Sequence, residues 1–306
     1  MAMQVHVVDG TYELFRQFFA RPSHQNGEGL EVGAARAVVR NMLAMLEEGV
    51  THLGVATDHV IESFRNDLFA GYKTGAGIDP LLRNQFWLLE DALRAIGVAT
   101  FAMVEFEADD AMASMAAVAA ADERVDKVLL CTPDKDLAQC VVPGRVVQFD
   151  RRNNKVLDVA EVVDKHGVYP ESIPDYLALV GDSADGFPGL PGWGSKSAGA
   201  VLLRYRHLEE IPLAGGQWDI TIRNGARLAK TLADNLGDAL LFRRLATLDL
   251  DAPTISSVDE LRWTGPGPAD ELAAVATLLD APDLMPRTAK LAAARAGGGA
   301  AGGGAG

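Results

Sequence analysis

Short apolar runs alternate with segments of helical periodicity through the first 150 residues, and this alternation constrains the fold more than any other feature of the chain. Alternation of this kind is typical of an α/β domain built on a mostly parallel sheet. The apolar runs that we interpret as strands are residues 4–8, 52–56, 97–101, 127–131 and 146–149. The segments with one apolar helical face are residues 33–48, 80–96 and 109–121.

After about residue 160 the strand-like runs stop and the periodicity becomes mostly helical, at residues 176–180, 195–205, 226–235 and 236–245. Residues 296–306 consist only of Ala and Gly, which offer no side chains for a packed core. The sequence therefore predicts an α/β domain over residues 1–162, a helical domain over residues 163–290 and a disordered tail over residues 291–306.

Composition restricts the class of protein further. Hydrophobic residues make up 48% of the chain and charged residues 23%, the balance of an ordinary globular protein, which excludes disorder throughout. The most apolar stretch, residues 111–121, is too short to cross a bilayer, and no secretion signal is visible at the N-terminus. Because Cys131 and Cys140 are too few for a disulfide framework, we expect a cytoplasmic protein that binds no membrane.

Acidic residues follow three of the predicted strands directly. Asp9, Asp58 and Asp134 each stand at the carboxyl end of an apolar run. In an open parallel sheet these ends meet at one edge, where ligands bind. Taken alone, each Asp is also an ordinary turn or helix-capping residue.

Six further carboxylates stand at the ends of predicted elements, and they favour a metal site over separate caps. They are Glu107, Asp109, Asp110, Asp136, Asp182 and Asp185. Packing so many anions together is unfavourable unless a cation neutralises them. Oxygen ligands without a His or Cys cluster indicate Mg²⁺ or Mn²⁺ rather than Zn²⁺. Two such ions are suited to in-line displacement at phosphorus, so the sequence predicts phosphate-ester hydrolysis.

A glycine-rich segment lies between two predicted helices. Its spacing is not that of a nucleotide-binding loop, because Ser195 intervenes between Gly194 and Lys196 and no strand precedes the segment. The amides at the start of the following helix could bind the phosphates of nucleic acid. A purely structural turn is an equally good interpretation. The candidate DNA-binding residues are Gly189, Gly192, Gly194, Ser195 and Lys196.

Several short motifs follow one another along the chain. They are Val7-Val8-Asp9-Gly10, Ser63-Phe64-Arg65, Gly71-Tyr72-Lys73, Glu107-Ala108-Asp109-Asp110, Asp134-Lys135-Asp136, Gly181-Asp182 with Asp185, and residues 189–198. Taken in this order, they resemble those of the 5′-nuclease family, which includes flap endonucleases, phage 5′-exonucleases and the N-terminal nuclease domain of bacterial DNA polymerase I. The resemblance covers about residues 4–250, and we expect a stand-alone bacterial 5′-3′ exonuclease or flap endonuclease.

The resemblance implies a PIN-like α/β catalytic domain with an arch near residues 60–82, followed by a helical DNA-binding region of the helix-three-turn-helix (H3TH) type. Asp9, Asp58, Glu107 and Asp109 would hold one metal ion, with Asp110 and Asp134 close by or bridging through water. Asp136, Asp182 and Asp185 would hold the second. The catalytic cations would be Arg65 and Lys73, beside the scissile phosphate, and the glycine-rich hairpin would grip duplex DNA, with a K⁺ ion possible there.

The activity implied by the resemblance is hydrolysis of phosphodiester bonds in DNA with a 5′ flap, a nick or a 5′-ended duplex, by a monomeric protein in replication and repair. The net charge of −14 argues against nucleic acid at first sight, but the acidic site accounts for part of it. Basic residues cluster within residues 145–155, 196–206 and 223–230, where they could line one binding face.

Two departures from the family pattern and two alternative functions stay open at this point. Gly186 stands where the family often has Asn, and Trp193 where a small aliphatic residue is common. One alternative is a structure-specific DNA-binding protein without catalysis. The other is a sugar-phosphate or nucleotide phosphatase with Asp9 as its nucleophile, which would leave the glycine-rich hairpin without a purpose.

Overall fold

The computed structural model describes residues 2–300. Six strands within residues 3–157 form one sheet. The strands are β1 (Met3–Asp9), β2 (His52–Asp58), β3 (Ala99–Met103), β4 (Val125–Cys131), β5 (Val146–Asp150) and β6 (Lys155–Leu157). Their order across the sheet is β3-β2-β1-β4-β5-β6, with β1 to β5 parallel and β6 antiparallel to β5. The expected mostly parallel sheet is thus confirmed, and β6 is a short addition that the sequence pattern does not predict.

Helices cover both faces of the sheet and form the second half of the chain. They are α1 (Gly10–Ala20), α2 (Gly33–Glu47), α3 (Phe64–Leu68), α4 (Pro80–Arg83), α5 (Gln85–Ala95), α6 (Ala108–Ala121), α7 (Val159–His166), α8 (Ile173–Val180), α9 (Ser195–Tyr205), α10 (Gly225–Asp234), α11 (Leu236–Ala246), α12 (Ala269–Leu278) and α13 (Leu284–Ala300).

Two helical features differ from the sequence pattern. The helix expected over residues 80–96 is divided into α4 and α5 at Asn84. Just after the division, the buried Gln85 side chain accepts hydrogen bonds from the amides of Ala34 and Ala35, both at 3.0 Å, and so caps the start of α2. Helix α1 is not among the expected helices, and Asp9 at the end of β1 also caps it.

Alternating side chains of the central strands enter two separate cores. Val8 and Val55 pack with α1, α2 and α5 on one face of the sheet. Val5 and Val7 pack with α6 on the other face. Because both faces are covered, most side chains inside the strands are apolar, with His6 in β1 and Gln148 in β5 as polar exceptions. The carboxyl ends of β1, β2 and β4 therefore form a polar edge between two apolar layers.

A third core holds α8, α9, α10 and α11 together, with Tyr72 from the segment that follows α3 packed against it. The chain then returns to the α/β layer instead of continuing this helical unit. The indole Nε1 of Trp263 donates to the carbonyl of Ile96 (2.8 Å), and Leu279 and Leu284 join the core beneath α2 and α5. The helical unit therefore ends near residue 246, earlier than the boundary at residue 290 that the sequence suggests.

Helix α13 occupies the first part of the segment expected to be a disordered tail. Arg295 explains this difference, since its guanidinium donates to the carbonyls of Leu46 and Val50 (2.7 and 2.6 Å) and lies over the ring of Trp263. The remainder of the expected tail, residues 301–306, lies outside the described residues. Within residues 2–300, no helix has both the length and the apolar composition that are needed to cross a membrane.

Candidate active site

The ends of β1 and β2 place two carboxylates side by side. Asp9 accepts hydrogen bonds from the amide of Tyr12 (2.7 Å) and the hydroxyl of Thr132 (3.1 Å), which fixes its side chain at the start of α1. Asp58 accepts a hydrogen bond from the amide of Ala108 (2.8 Å), which ties the end of β2 to the first turn of α6. Asp109 in this first turn therefore lies at the same edge of the sheet.

The pKa values of these carboxylates are shifted by burial and by one another's charges. Burial raises the pKa of Asp9 to about 7, and the charges of Asp58 and Asp134 also raise it. Burial raises the pKa of Asp109 well above its ordinary value, and Asp134 and Asp9 add to the effect. Burial likewise raises the pKa of Asp58, with Glu107 contributing in the same direction. Asp134, the most exposed of these residues, thus lies within interaction distance of both Asp9 and Asp109.

A second group of carboxylates lies where β4 meets the helical unit. One oxygen each from Asp136, Asp182 and Asp185 lies within 4.8 Å of the others. Burial raises the pKa of Asp136 well above its ordinary value, and the charges of Asp134, Asp185 and Asp182 raise it further. Asp136 Oδ1 is buried and has no hydrogen-bond partner within residues 2–300. An unpartnered buried oxygen among three carboxylates fits a hard divalent cation.

Two lysines neutralise part of this charge. Lys73 Nζ lies 2.7 Å from Glu107 Oε2 and 3.1 Å from Asp185 Oδ1, so it joins the two groups of acids. Burial acts to lower the pKa of Lys73, but the charges of Glu107 and Asp185 outweigh burial and raise it. Lys135 Nζ lies 2.5 Å from Asp182 Oδ2. Lys135 is absent from the residues proposed from the sequence, although its position between Asp134 and Asp136 is a signal that could have identified it.

The segment that carries Lys73 is fixed to the turn that carries Asp185. The amide of Lys73 donates to the carbonyl of Asp185 (2.9 Å). Gly186 has a φ of +90°, and a Cβ atom there would lie 2.2 Å from the carbonyl oxygen of Gly71. This contact explains why the chain has Gly where the family often has Asn, since Asn tolerates a positive φ but would collide with Gly71.

Arg65 and Asp110 form a buried ion pair. Arg65 is 1% exposed, and its guanidinium forms two hydrogen bonds of 2.7 Å to the carboxylate of Asp110, which is 0% exposed. Arg65 also donates to the carbonyls of Leu245 (2.8 Å) and Thr247 (3.0 Å). These contacts occupy the donors of Arg65 in this structure, and its catalytic role stays a prediction.

The Asp110 carboxylate has further donors besides Arg65. Its oxygens also accept hydrogen bonds from the amides of Glu107 (3.0 Å) and Asp249 (2.8 Å). Asp110 therefore holds the start of α6 in place, beside Glu107 and Asp109. Its expected place close to a metal ion stays a prediction.

Glu107 lies at the centre of a dense network of donors. Its carboxylate accepts from the hydroxyl of Ser63 (2.7 Å) and that of Tyr72 (3.3 Å), besides its contacts with Lys73 and Arg65. Burial acts to raise the pKa of Glu107, but Lys73 and Arg65 hold it below the ordinary value. Glu107 is therefore ionised and faces Lys73, at the border of the two acidic groups.

The glycine-rich hairpin connects α8 to α9, and its glycines have different roles. Gly189 has a φ of +69°, and a Cβ atom there would lie 2.3 Å from the amide nitrogen of Gly181, so Gly189 is required by packing within the protein. Gly192 has a φ of +84°, and a Cβ atom there would meet only the side chains of Arg227 and Leu228, at 3.5 Å or more. A Cβ atom at Gly194 would meet nothing within 4 Å. The open side of the hairpin is therefore at Gly192 and Gly194.

The start of α9 is free to bind an anion. Ser195 and Lys196 are exposed, and no acidic side chain lies in this first turn. The exposed amides and the helix dipole together favour a phosphate at this position. Trp193, the other departure from the family pattern, is buried with its ring centroid 6.2 Å from that of Trp218, so it fills the core of the helical unit.

The three basic segments do not form one continuous face. Arg145 donates to the carbonyls of Ala120 and Val125 and so caps the end of α6. Arg204 pairs with Asp219. Arg223 and Arg227 are exposed, and Arg227 lies beside Gly192 of the hairpin. Lys196 and Arg227 therefore supply positive charge at the hairpin, whereas the exposed Arg152 lies with Arg16 and Arg21.

Two family models match the sequence in succession. Residues 4–167 match the model described as the N-terminal resolvase-like domain of 5′-3′ exonuclease, and residues 168–269 match its C-terminal SAM fold. The 5′-3′ exonuclease of Aquifex aeolicus is 32% identical over 210 residues, which cover 68% of this chain and 71% of that protein. DNA polymerase I of Pseudomonas aeruginosa is 33% identical over 265 residues, which cover 83% of this chain and 28% of the polymerase.

The chain spans less than a third of the length of the DNA polymerase I relatives that it matches. Among solved structures, the complex of the bacteriophage T5 D15 flap endonuclease with DNA and metal ions has a TM-score of 0.61 at 21% identity, covering 93% of this chain and 99% of that one. This similarity confirms the fold. Because the family models match most of the chain and the expected motifs are all in place, the protein belongs to the 5′-3′ exonuclease family.

Proposed function

We propose that this protein is a divalent-metal-dependent DNA nuclease that acts as a 5′-3′ exonuclease and a 5′-flap endonuclease. The observation that carries the proposal is the meeting of two groups of buried acids from distant chain segments at one edge of the sheet. The relative from Aquifex aeolicus is named a 5′-3′ exonuclease, and the T5 neighbour was solved with DNA and metal ions. Both descriptions agree with the chemistry of these acids.

The acids would hold two ions of the hard, oxygen-preferring type, Mg²⁺ or Mn²⁺. When bound, such ions lower the pKa of an attacking water and stabilise the leaving oxygen of a phosphodiester. One ion would be held by Asp9, Asp58, Glu107, Asp109 and Asp134, and the other by Asp136, Asp182 and Asp185. The buried, unpartnered Oδ1 of Asp136 supports the second of these positions.

Lys73 is the cation of this chain best placed to touch the reacting phosphate. Its side chain is 28% exposed and its Nζ lies between the two acidic groups. Since the pKa of Lys73 is raised, its ammonium stays protonated and can donate a hydrogen bond to a phosphoryl oxygen as negative charge develops there. It would not serve as a general base. The products would carry a 5′-phosphate and a 3′-hydroxyl, because water attacks the phosphorus, the P–O3′ bond breaks, the 3′ oxygen leaves and the phosphoryl group stays on the 5′ oxygen.

The open side of the hairpin would bind the backbone of duplex DNA. Gly194, Ser195 and Lys196 would contact phosphate oxygens without reading sequence, and a K⁺ ion at this hairpin belongs to the same proposal. Contacts of this kind would fix the position of the duplex on the protein. The phosphodiester near the 5′ end of the cleaved strand would then lie at the acidic site. A role in DNA replication and repair by a monomeric protein completes the proposal.

Incubation of the purified protein with a labelled 5′-flap duplex in Mg²⁺ or Mn²⁺ tests the proposed function. We expect cleavage near the flap junction, 5′-phosphate products and no reaction in EDTA. DNA binding without cleavage in either metal would favour a non-catalytic DNA-binding protein. Release of phosphate from small esters without DNA cleavage would favour the phosphatase, in which Asp9 is the nucleophile.

Stabilisation by divalent metal is expected to increase with pH. Asp9 has an ordinary pKa of 3.8 and a pKa of about 7 in the folded protein, so at pH 5.5 a proton occupies the site that a cation needs. At pH 8 Asp9 is ionised, and the metal-free fold then carries the repulsion of the whole cluster. Mg²⁺ should therefore raise the melting temperature by several degrees more at pH 8 than at pH 5.5.

The difference between loaded and metal-free protein at each pH is the quantity to measure, by differential scanning fluorimetry. His6 and His166, whose pKa values are lowered to about 4 by burial, make the fold less stable as the pH falls below their ordinary value of 6.5. The effect of these two histidines on stability is the same with and without metal. It therefore cancels when the melting temperature of the metal-free protein is subtracted from that of the loaded protein. An equal metal-induced shift at the two pH values would contradict the assignment of Asp9 and its neighbours as ligands.

Replacement of Lys196 by Ala is expected to weaken duplex binding several-fold and to reduce the slope of log affinity against log salt concentration by about 1. The reason is the loss of one phosphate contact and of the counterion that this contact displaces. Fluorescence anisotropy over a salt series measures both quantities. Lys290→Ala, an exposed lysine on α13, is the matched control. If both variants change the slope equally, Lys196 has no special place on the DNA.

A further inference from the structure

An exposed aromatic pair, His59 and Trp87, flanks the segment of residues 60–82 on its two sides in the sequence. Trp87, on the first turns of α5, is 63% exposed, and its ring stacks on that of His59 with centroids 5.4 Å apart and planes 16° from parallel. Trp193 and Trp263, by contrast, are buried. A tryptophan with one ring face on a histidine and its other surface open to solvent is a ready stacking surface.

The pair is held rigidly from beneath. His59 Nδ1 shares a hydrogen bond of 2.8 Å with Glu90 Oε2, and the other oxygen of Glu90 accepts from the hydroxyl of Thr57 (2.9 Å). Glu90 is itself buried. Glu90 therefore fixes the His59 ring, and Trp87 stacks on that fixed ring. Because the supporting ring is fixed in advance, stacking a ligand on Trp87 costs less conformational entropy.

Next to this pair is a cavity of about 300 Å³. Its apolar wall comes from both ends of the 60–82 segment, Ile61 and Ile78, and from Phe86 of α5. Arg83 and Asn84 supply an exposed cation and an amide at the rim. A flat aromatic wall, an apolar interior, an amide and one guanidinium match a planar heterocycle that carries a phosphate.

We propose that this cavity binds one unpaired nucleobase of the 5′ single strand, stacked on Trp87, with its phosphate at Arg83. The inference rests on the proposed function. His59 directly follows Asp58, so the cavity lies beside the candidate metal centre, at the root of the segment that carries Lys73. In duplex DNA the faces of the bases are covered by the neighbouring base pairs. In an unpaired strand each base can expose a face to an aromatic side chain. The occupant that fits is therefore the displaced strand and not the duplex.

Binding assays with two substrates test this proposal in the Asp136→Asn background, in which cleavage is expected to be roughly a hundred- to a thousandfold slower. One duplex carries a 5′ single-stranded arm of about six nucleotides, within the range that single-strand sites cover, and the other carries none. The gain in affinity that the arm provides should fall about 5- to 100-fold in Trp87→Ala. Trp87→Phe, which keeps an aromatic face, should retain most of the gain, and Met285→Ala on α13 should retain all of it.

Tryptophan fluorescence provides an independent measurement. A single-stranded oligonucleotide should quench the emission of Trp87, and this component of the quenching should disappear in Trp87→Phe. The buried Trp193 and Trp263 and the half-buried Trp218 are the same in both proteins, so the difference between them reports Trp87 alone. If the wild-type protein cleaves flaps but Trp87→Ala keeps the full gain from the arm, the nucleobase site is wrong and the proposed nuclease function stands. If the wild-type protein neither binds nor cleaves flap DNA, both proposals fall together.

Discussion

Asp136→Asn is expected to lower the rate of flap cleavage by roughly a hundred- to a thousandfold, as loss of one electrostatic group at a reacting phosphate typically does. The variant keeps the size of the side chain but removes the charge that would hold the second ion. The same change should raise the melting temperature of the protein in EDTA. It removes one buried anion from a group in which Asp134, Asp185 and Asp182 raise the pKa of Asp136. Single-turnover cleavage and thermal unfolding in EDTA give the two measurements.

The opposite signs of these two effects make the prediction specific. Asp126→Asn, an exposed position near the start of the same strand, β4, is the matched control and should change neither quantity. A variant that loses activity and also melts at a lower temperature in EDTA would show that Asp136 has a folding role. A wild-type rate in Asp136→Asn would exclude Asp136 as a ligand.

The second large effect is expected at Arg65. Arg65→Met should lower the free energy of unfolding by about 3–5 kcal/mol, because it leaves the buried carboxylate of Asp110 without a partner. The carbonyls of Leu245 and Thr247 also lose their donors, so α11 would be released from the α/β layer. Urea unfolding followed by circular dichroism measures the change.

A control and a double variant separate this role from catalysis. Arg94→Met breaks an exposed pair with Asp91 (3.4 Å) and should cost less than about 0.5 kcal/mol. Adding Asp110→Asn to Arg65→Met removes the unpaired charge and should restore part of the lost stability. If Arg65→Met instead keeps wild-type stability and loses only cleavage, Arg65 touches the substrate, as the motif alone suggests.

The common edge at which the acids lie could be predicted from the sequence, because the geometry of a parallel sheet places the carboxyl ends of its strands together. Once residues 4–8, 52–56 and 127–131 are parallel strands, Asp9, Asp58 and Asp134 must follow at the same edge. Elements without a repeating pattern were not predicted. Strand β6 has three residues, too few to show alternation, and α1 begins at the acid that ends β1.

Contacts between distant segments account for what the sequence could not provide. Arg65 stands in a motif typical of an arch, and nothing near it in the chain indicates burial. Its guanidinium is enclosed by the carbonyls of Leu245 and Thr247, 180 and 182 residues later in the chain. The ion pair of Lys135 with Asp182 likewise depends on where the helical unit docks, which no local periodicity encodes.

The return of the chain onto the α/β layer sets a limit on how this protein can be shortened or fused to other proteins. The family models end at residue 269, yet Leu272, Ala276, Leu279 and Leu284 lie in the core beneath α2 and α5. A version cut at that boundary would leave an apolar patch on the outside of the sheet, of the kind that drives self-association. Fusions or shortened versions of the protein therefore have to retain α12 and α13, which cover this core.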